Sequence, residues 1–98
     1  MGRITTPKFE LQVDRNGRVT SEGVDSLKEA NIIAMQYIKK GDRKIYLWGN
    51  SNAGKRYMTN KRCDFWELEE LAGSYIWSYR QVKGRTSRSL NDTVAMCL

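Results

Sequence analysis

The chain of 98 residues contains no histidine. Histidine is the most frequent general acid or base near neutral pH, and Ser-His and Cys-His hydrolytic mechanisms depend on it. Those mechanisms are therefore excluded. Glu67, Glu69 and Glu70 lie close together, but on a predicted helix they occupy the acidic N-terminal half and a solvated face. We expect a protein that is not an enzyme and has no catalytic residues.

Cysteine and long apolar runs are also scarce. The two cysteines, Cys63 and Cys97, lie far apart and lack the spacing of a zinc site or a disulfide framework. We therefore predict reduced thiols, no metal and no cofactor. No apolar run approaches the roughly 18 residues of a membrane span, and the polar start "MGRITTPKFELQV" does not resemble a signal peptide. These features predict a cytoplasmic protein that does not associate with membranes.

Positive charge is the most pronounced feature that is present. Seventeen Lys and Arg oppose eleven Asp and Glu, which gives a net charge of +6 and a pI near 9.6. Residues 39–62 hold eight cations and one acid, Asp42, and residues 80–88 hold four cations and no acid. Such clustering favours a polyanionic partner. Two alternatives remain open, a solvated surface and an acidic protein partner.

The segment "GNSNAGKR", residues 49–56, completes the G-x-x-x-x-G-K pattern of a phosphate-binding loop. The next position of that motif holds a Ser or Thr that binds Mg²⁺, and here it is Arg56. The motif should also open a helix, whereas "KRYMTN" is short and β-prone. We predict a glycine-bearing hairpin loop whose amides and basic flank contact a nucleic-acid phosphate, instead of a nucleotide site.

The first half of the chain predicts a hairpin followed by a helix. "KFELQVD" and "RVTSE" read as strands joined by Asn16-Gly17, a pair that tolerates positive φ in a two-residue turn. Ser26 and Glu29 form a capping box for a helix from Leu27 to Lys40, which Gly41 should end. Its predicted core-facing residues are Leu27, Ala30, Ile33, Ala34, Tyr37 and Ile38.

The second half predicts another hairpin and a second helix. "KIYLWG" and "KRYMTN" should pair, with Tyr46 and Trp48 on one face and Ile45 and Leu47 on the other. A capping box at Asp64 and Glu67 predicts a helix over about 65–81. Its predicted core stripe has spacings of three and four residues and consists of Phe65, Leu68, Ala72, Tyr75, Tyr79 and Val82. A shorter helix followed by a strand over 73–82 remains an alternative, because Tyr75, Trp77 and Tyr79 alternate there.

These elements predict a single α+β domain over residues 1–98, in ββαββα order. A small antiparallel sheet would pack against one or two helices, followed by a basic linker at about 83–89 and a short C-terminal tail. The predicted second helix contains more aromatic residues than a single core-facing stripe can hold. Trp48, Trp66 and Trp77 could therefore belong either to the core or to an interface.

Binding of nucleic acid needs cations for phosphates and rings for bases. The predicted site combines both kinds of residue: Lys44, Tyr46, Trp48, Lys55, Arg56, Tyr57, Lys61, Arg62, Arg80, Lys83, Arg85 and Arg88. DNA and RNA are equally compatible with this set. Two alternatives stay open: the rings are core, or Arg56, Tyr57, Tyr79 and Arg80 cut RNA without histidine.

The order of hairpin, helix and hairpin in "FELQVDRNGRVTSEGVDSLKEANIIAMQYIKKGDRKIYLWG" resembles small accessory proteins of bacteriophages and plasmids, including anti-CRISPR and host-takeover proteins. The resemblance covers less than half of the chain. It implies a compact, non-enzymatic protein that acts by occupying a macromolecular surface. The alternative function it suggests is an inhibitor that binds an acidic face of a host protein or nucleoprotein complex.

Overall fold

The structure is a computed structural model that describes residues 5–80 and the backbone of residues 93–95. Within these residues, one helix and one antiparallel sheet give the predicted α+β class. The elements along the chain are β1 (Phe9–Arg15), β2 (Arg18–Val24), α1 (Leu27–Lys39), β3 (Lys44–Asn50), β4 (Arg62–Leu71), β5 (Ser74–Arg80) and β6 (Thr93–Ala95). The strand order in the sheet is β2-β1-β3-β4-β5-β6.

The first half of the chain folds as its sequence predicts. Asn16 and Gly17 have φ values of 53° and 86° in the turn between β1 and β2, which matches the right-handed twist of a two-residue hairpin. The hydroxyl of Ser26 accepts a hydrogen bond of 3.1 Å from the amide of Glu29, so the N-cap is present. Gly41, at φ 103°, ends the helix where an L side chain would be strained.

The predicted second helix is wrong. Residues 62–80 form the β4–β5 hairpin, whose turn consists of Ala72 and Gly73 at φ values of 52° and 84°. Asp64 lies within β4 and caps no helix. Of the alternative, a shorter helix followed by a strand, the structure contains only the strand, in β5. The observed order is ββαβββ followed by β6.

The predicted partner of β3 is also wrong. "KRYMTN" forms no strand beyond a single bridge between Thr5 and Arg56. Strand β3 pairs instead with β4, with Leu47 opposite Trp66 and Trp48 opposite Phe65. Residues 51–61 are the connection between these strands, and we call them the β3–β4 loop.

Helix α1 covers one face of the sheet and encloses the core. Ala30, Ala34 and Ile38 are buried there, while Leu27, Ile33 and Tyr37 pack partly buried against the same core, which confirms the predicted helix face. The sheet contributes Leu11, Val13, Val24, Ile45, Leu47, Trp66, Leu68, Tyr75 and Trp77. We call the opposite side of the sheet the open face.

Two of the three tryptophans belong to this core. Trp66 and Trp77 are only 3% and 1% exposed. The indole nitrogen of Trp77 donates a hydrogen bond of 2.7 Å to the side-chain carbonyl of Asn31 on α1. This bond fixes the helix across the sheet. Trp48 lies on the open face and is half-buried.

Candidate nucleic-acid interface

The β3–β4 loop is built around the buried side chain of Asn50. Its carbonyl oxygen accepts hydrogen bonds from the amides of Asn52 (3.1 Å) and Lys61 (2.8 Å). Its amide nitrogen donates to the Pro7 carbonyl (2.8 Å) and to the Asn60 side chain (3.2 Å). One side chain therefore joins both ends of the loop to the segment that precedes β1.

Thr6 holds the outer part of the same loop. Its amide and hydroxyl both donate to the Lys55 carbonyl, at 3.0 and 2.8 Å, and the hydroxyl also lies 3.1 Å from the Met58 carbonyl. The Thr6 carbonyl accepts from the amide of Gly54 at 3.0 Å. Because these contacts join residues far apart in sequence, the loop has a defined shape before it meets any ligand.

The fixed loop presents cations and exposed apolar groups to solvent. Lys55, Arg56 and Lys61 are exposed, and the loop contains no acid. Tyr57 is 76% exposed and Met58 is 49% exposed. The guanidinium carbon of Arg56 lies 5.4 Å from the Tyr57 ring centroid.

Tyr57 has an unusual backbone conformation. Its φ of 56° lies in the left-handed region, which costs a bulky residue about 1–3 kcal/mol. The surrounding hydrogen bonds hold that conformation. Strain of this kind concentrates at ligand-binding sites.

Beside the loop, the open face carries three adjacent rings that we call the aromatic ridge: Tyr46, Phe65 and Trp48. Phe65 is central, with its centroid 5.4 Å from Tyr46 and 4.3 Å from Trp48. The guanidinium carbon of Arg62 lies 4.7 Å from the Trp48 ring centroid. Phe65 and Arg62 therefore both contact Trp48, and a base could stack on it only where Arg62 moves aside.

Ion pairs neutralise much of the open face. Glu10 accepts hydrogen bonds from Arg62 and from the Asn60 side chain, the latter at 2.8 Å, which ties the loop to the ridge. Arg80 pairs with Glu67 at 3.0 Å and also with Glu69. Two of the predicted phosphate ligands, Arg62 and Arg80, thus already have carboxylate partners.

Burial and nearby charges also change the pKa of Tyr46, one of the ridge residues. Burial raises the pKa of Tyr46 above its usual value, and the nearby carboxylates of Glu67 and Asp14 raise it further. Tyr46 therefore keeps its proton to a higher pH than an unperturbed tyrosine does. Its hydroxyl can act as a hydrogen-bond donor on the open face.

The structure separates the predicted site into three parts. Lys55, Arg56, Tyr57 and Lys61 lie together on the β3–β4 loop, and Tyr46, Trp48, Arg62 and Arg80 lie on or beside the open face. Lys44 lies at the opposite end of β3, away from the loop. Lys83, Arg85 and Arg88, with the predicted linker, lie outside the described residues.

Phe65, the central ring of the ridge, was not among the residues predicted for the site. Phe65 stood on the core stripe of the predicted helix, whereas it faces away from the core in β4. The alternation in "DFWEL" contains this signal, because buried Trp66 and Leu68 are separated by outward positions. The residues proposed for RNA cleavage do not converge: Tyr79 packs on the core side against Trp66, and Arg80 faces the open side.

Searches against protein-family models, curated proteins and solved structures found no match to this chain. Among the described residues, no helix is long and apolar enough to cross a membrane. Within the same part of the chain, no three metal-binding side chains form a group that could hold an ion. The geometry of the loop and ridge is therefore the basis for a functional assignment.

Proposed function

We propose that this protein binds nucleic acid through the β3–β4 loop, without catalysis. Lys55, Arg56 and Lys61 contact backbone phosphates, and the exposed ring of Tyr57 stacks on an unpaired base. Stacking of this kind contributes about 1–3 kcal/mol for each base. The aromatic ridge and Arg62 form the wall beside the loop.

The main support for the proposal is that the β3–β4 loop is held in place by hydrogen bonds and presents cations that have no carboxylate partner in the described part of the chain. Among residues 5–80, none of the three loop cations forms an ion pair with a carboxylate. A polyanion therefore gains their full attraction without displacing an existing partner. The hydrogen bonds of Asn50 and Thr6 also reduce the entropy that ordering the loop would otherwise cost on binding.

The test is the salt dependence of binding to single-stranded and duplex DNA and RNA. Each phosphate contact contributes about 0.7 to the slope of log K against log salt for single strands and about 0.9 for duplexes. Lys55→Ala combined with Arg56→Ala should therefore flatten the single-strand slope by about 1.4. Tyr57→Ala should weaken single-strand binding more than duplex binding, because only unpaired bases expose their faces.

A matched control comes from α1. Lys28 and Lys39 are exposed on α1 and do not belong to the β3–β4 loop. Replacing both with alanine removes the same charge and should leave the salt slope nearly unchanged. If the wild-type protein binds no nucleic acid at micromolar concentration and low salt, the proposal is wrong.

Exposed Tyr57 and Met58 also favour a second candidate, an inhibitor that docks on an acidic protein surface. Aromatic side chains and methionine are enriched at protein interfaces. This function predicts a saturable one-to-one complex with a protein and no effect of nuclease treatment. The loop variants would weaken that complex as well, so the wild-type titration with nucleic acid distinguishes the two functions.

A further inference from the structure

A second cationic region lies at the end of the sheet opposite the β3–β4 loop. Strand β3 runs from Lys44 to Asn50, so its seven residues separate the two ends by about 20 Å. At the Lys44 end, a cleft of about 370 Å³ lies between the β1–β2 turn and the end of α1. A second cleft of about 240 Å³ adjoins it, and Arg15 and Lys40 line both. We call the two together the turn-end cleft.

Arg15 is held in this cleft by a buried carboxylate. Its Nε donates to Asp42 Oδ1 at 2.8 Å and its Nη2 donates to Oδ2 at 2.6 Å. The Asp42 side chain is 5% exposed, while that of Arg15 is 57% exposed. A guanidinium has five N–H donors, and this pair uses two of them. Three donors in a fixed orientation are left for a ligand.

The other charges of the cleft leave a positive surplus. Asp14 accepts a hydrogen bond of 2.9 Å from the amide of Gly17, and Asp42 is engaged by Arg15. Lys40 and Lys44 have no carboxylate partner within 4 Å among the described residues. Four cations and two carboxylates line the larger cleft, so two positive charges remain in excess. Asp14 lies opposite Lys44 in the sheet, and its hydrogen bond from Gly17 leaves its negative charge in place.

The end of α1 does not cancel this surplus. Helix C-termini repel anions through their unpaired carbonyl groups. Here the Ile38 carbonyl accepts from the amide of Gly41 and from the guanidinium of Arg43, each at 3.0 Å. The Tyr37 carbonyl accepts from the amide of Asp42 at 3.0 Å. Arg43 thus has a structural role, and the Tyr37 and Ile38 carbonyls are satisfied.

We propose that the turn-end cleft is a second phosphate-binding site, in which Arg15, Lys40 and Lys44 bind the backbone phosphate of a second nucleic-acid segment. One molecule then bridges two segments from opposite ends of its sheet. The phosphate site follows from the cleft itself, whereas the bridging rests on the proposed function of the loop.

A bridging assay tests the complete inference. One biotinylated DNA is immobilised, the protein is added, and retention of a second, fluorescent DNA is measured. Wild-type protein and the Lys28→Ala/Lys39→Ala control should retain the second DNA. The Lys40→Ala/Lys44→Ala variant should bind the first DNA and retain at least about tenfold less of the second. Equal retention by this variant and the wild type would overturn the inference.

Two further outcomes separate this inference from the proposed function. A wild-type protein that binds DNA and RNA but bridges neither overturns the inference and leaves the proposed function intact. The cleft is also tested alone, by nuclear magnetic resonance titration with inorganic phosphate. Saturable shifts at the Arg15 Nε–H, lost in Lys40→Ala/Lys44→Ala, support the site even where the loop binds nothing, and their absence in the wild type refutes it.

Discussion

Asn50→Ala tests whether the shape of the β3–β4 loop, and not only its charge, carries binding. The substitution removes four hydrogen bonds and leaves the amides of Asn52 and Lys61 without their acceptor. A buried polar group without a partner costs about 1–3 kcal/mol. The loop can open and hydrate these groups, so we expect a loss of about 2–4 kcal/mol in the free energy of unfolding. That is a large part of the roughly 5–15 kcal/mol of a typical domain.

Urea denaturation gives the stability change, and amide hydrogen exchange locates it. Protection should fall first at the Asn52 and Lys61 amides, and nucleic-acid binding should weaken although the net charge is unchanged. Ser51→Ala is the matched control, because its hydroxyl makes one exposed bond of 3.2 Å to the Lys61 carbonyl. An Asn50→Ala protein within about 0.5 kcal/mol of the wild type, with both amides still protected, would refute this account of the loop.

Two other variants test the fold and its dependence on pH. Ile33→Ala should lower the free energy of unfolding by about 2 kcal/mol, the low end for a buried isoleucine, because Ile33 is only partly buried. The exposed control Lys28→Ala should change it by no more than about 0.5 kcal/mol. Equal losses of stability in thermal melts would mean that the helix face is misplaced. The hydrogen bond from Arg15 holds the pKa of Asp42 below its usual value, so its stabilisation is present above about pH 4 and is lost as the pH falls through the lowered pKa. Asp42→Asn should therefore flatten the acid limb of stability against pH, and an unchanged limb would contradict the role of this pair.

The sequence predicted the first half of the fold because local signals there agree with one another. Strand β1 alternates strictly, Asn16-Gly17 suits its turn, and Ser26 caps a helix with one apolar face. Each of these signals depends on neighbours within a few residues. No distant contact was needed to interpret them.

The β4–β5 hairpin was not predicted because its sequence fits both the periodicity of a helix and the alternation of a strand. "DFWELEEL" has helical spacing and acidic helix-forming residues, yet it also places Trp66 and Leu68 on alternate positions. Its turn begins with Ala72 at φ 52°, a conformation usually given to Asn, Asp or Gly. Pairing with β3 on one side and β5 on the other decides the outcome, and such contacts are not visible in a local pattern.

The candidate site was predicted in its residue types and not in its arrangement. The loop cations and the outward direction of Tyr46 and Trp48 follow from local sequence. The pairing of Arg62 with Glu10 joins residues 52 positions apart, and the separation of Lys44 from the loop depends on the direction of β3. Distances of this kind emerge only when the sheet order is known.

The distribution of paired and unpaired charge indicates how a polyanion would approach the protein. On the open face, Arg62 and Arg80 are held by Glu10, Glu67 and Glu69, so a phosphate placed there would have to break ion pairs and would face their carboxylates. Among the described residues, cations without a carboxylate partner lie at both ends of the sheet, on the β3–β4 loop and in the turn-end cleft. Because exposed charges act over about 8 Å at physiological salt, and the ends are about 20 Å apart, each attracts a phosphate largely independently. A single strand that ran across the open face from one end to the other would pass the carboxylates of Glu10, Glu67 and Glu69, which repel its phosphates. Two segments, one bound at each end of the sheet, would avoid that repulsion.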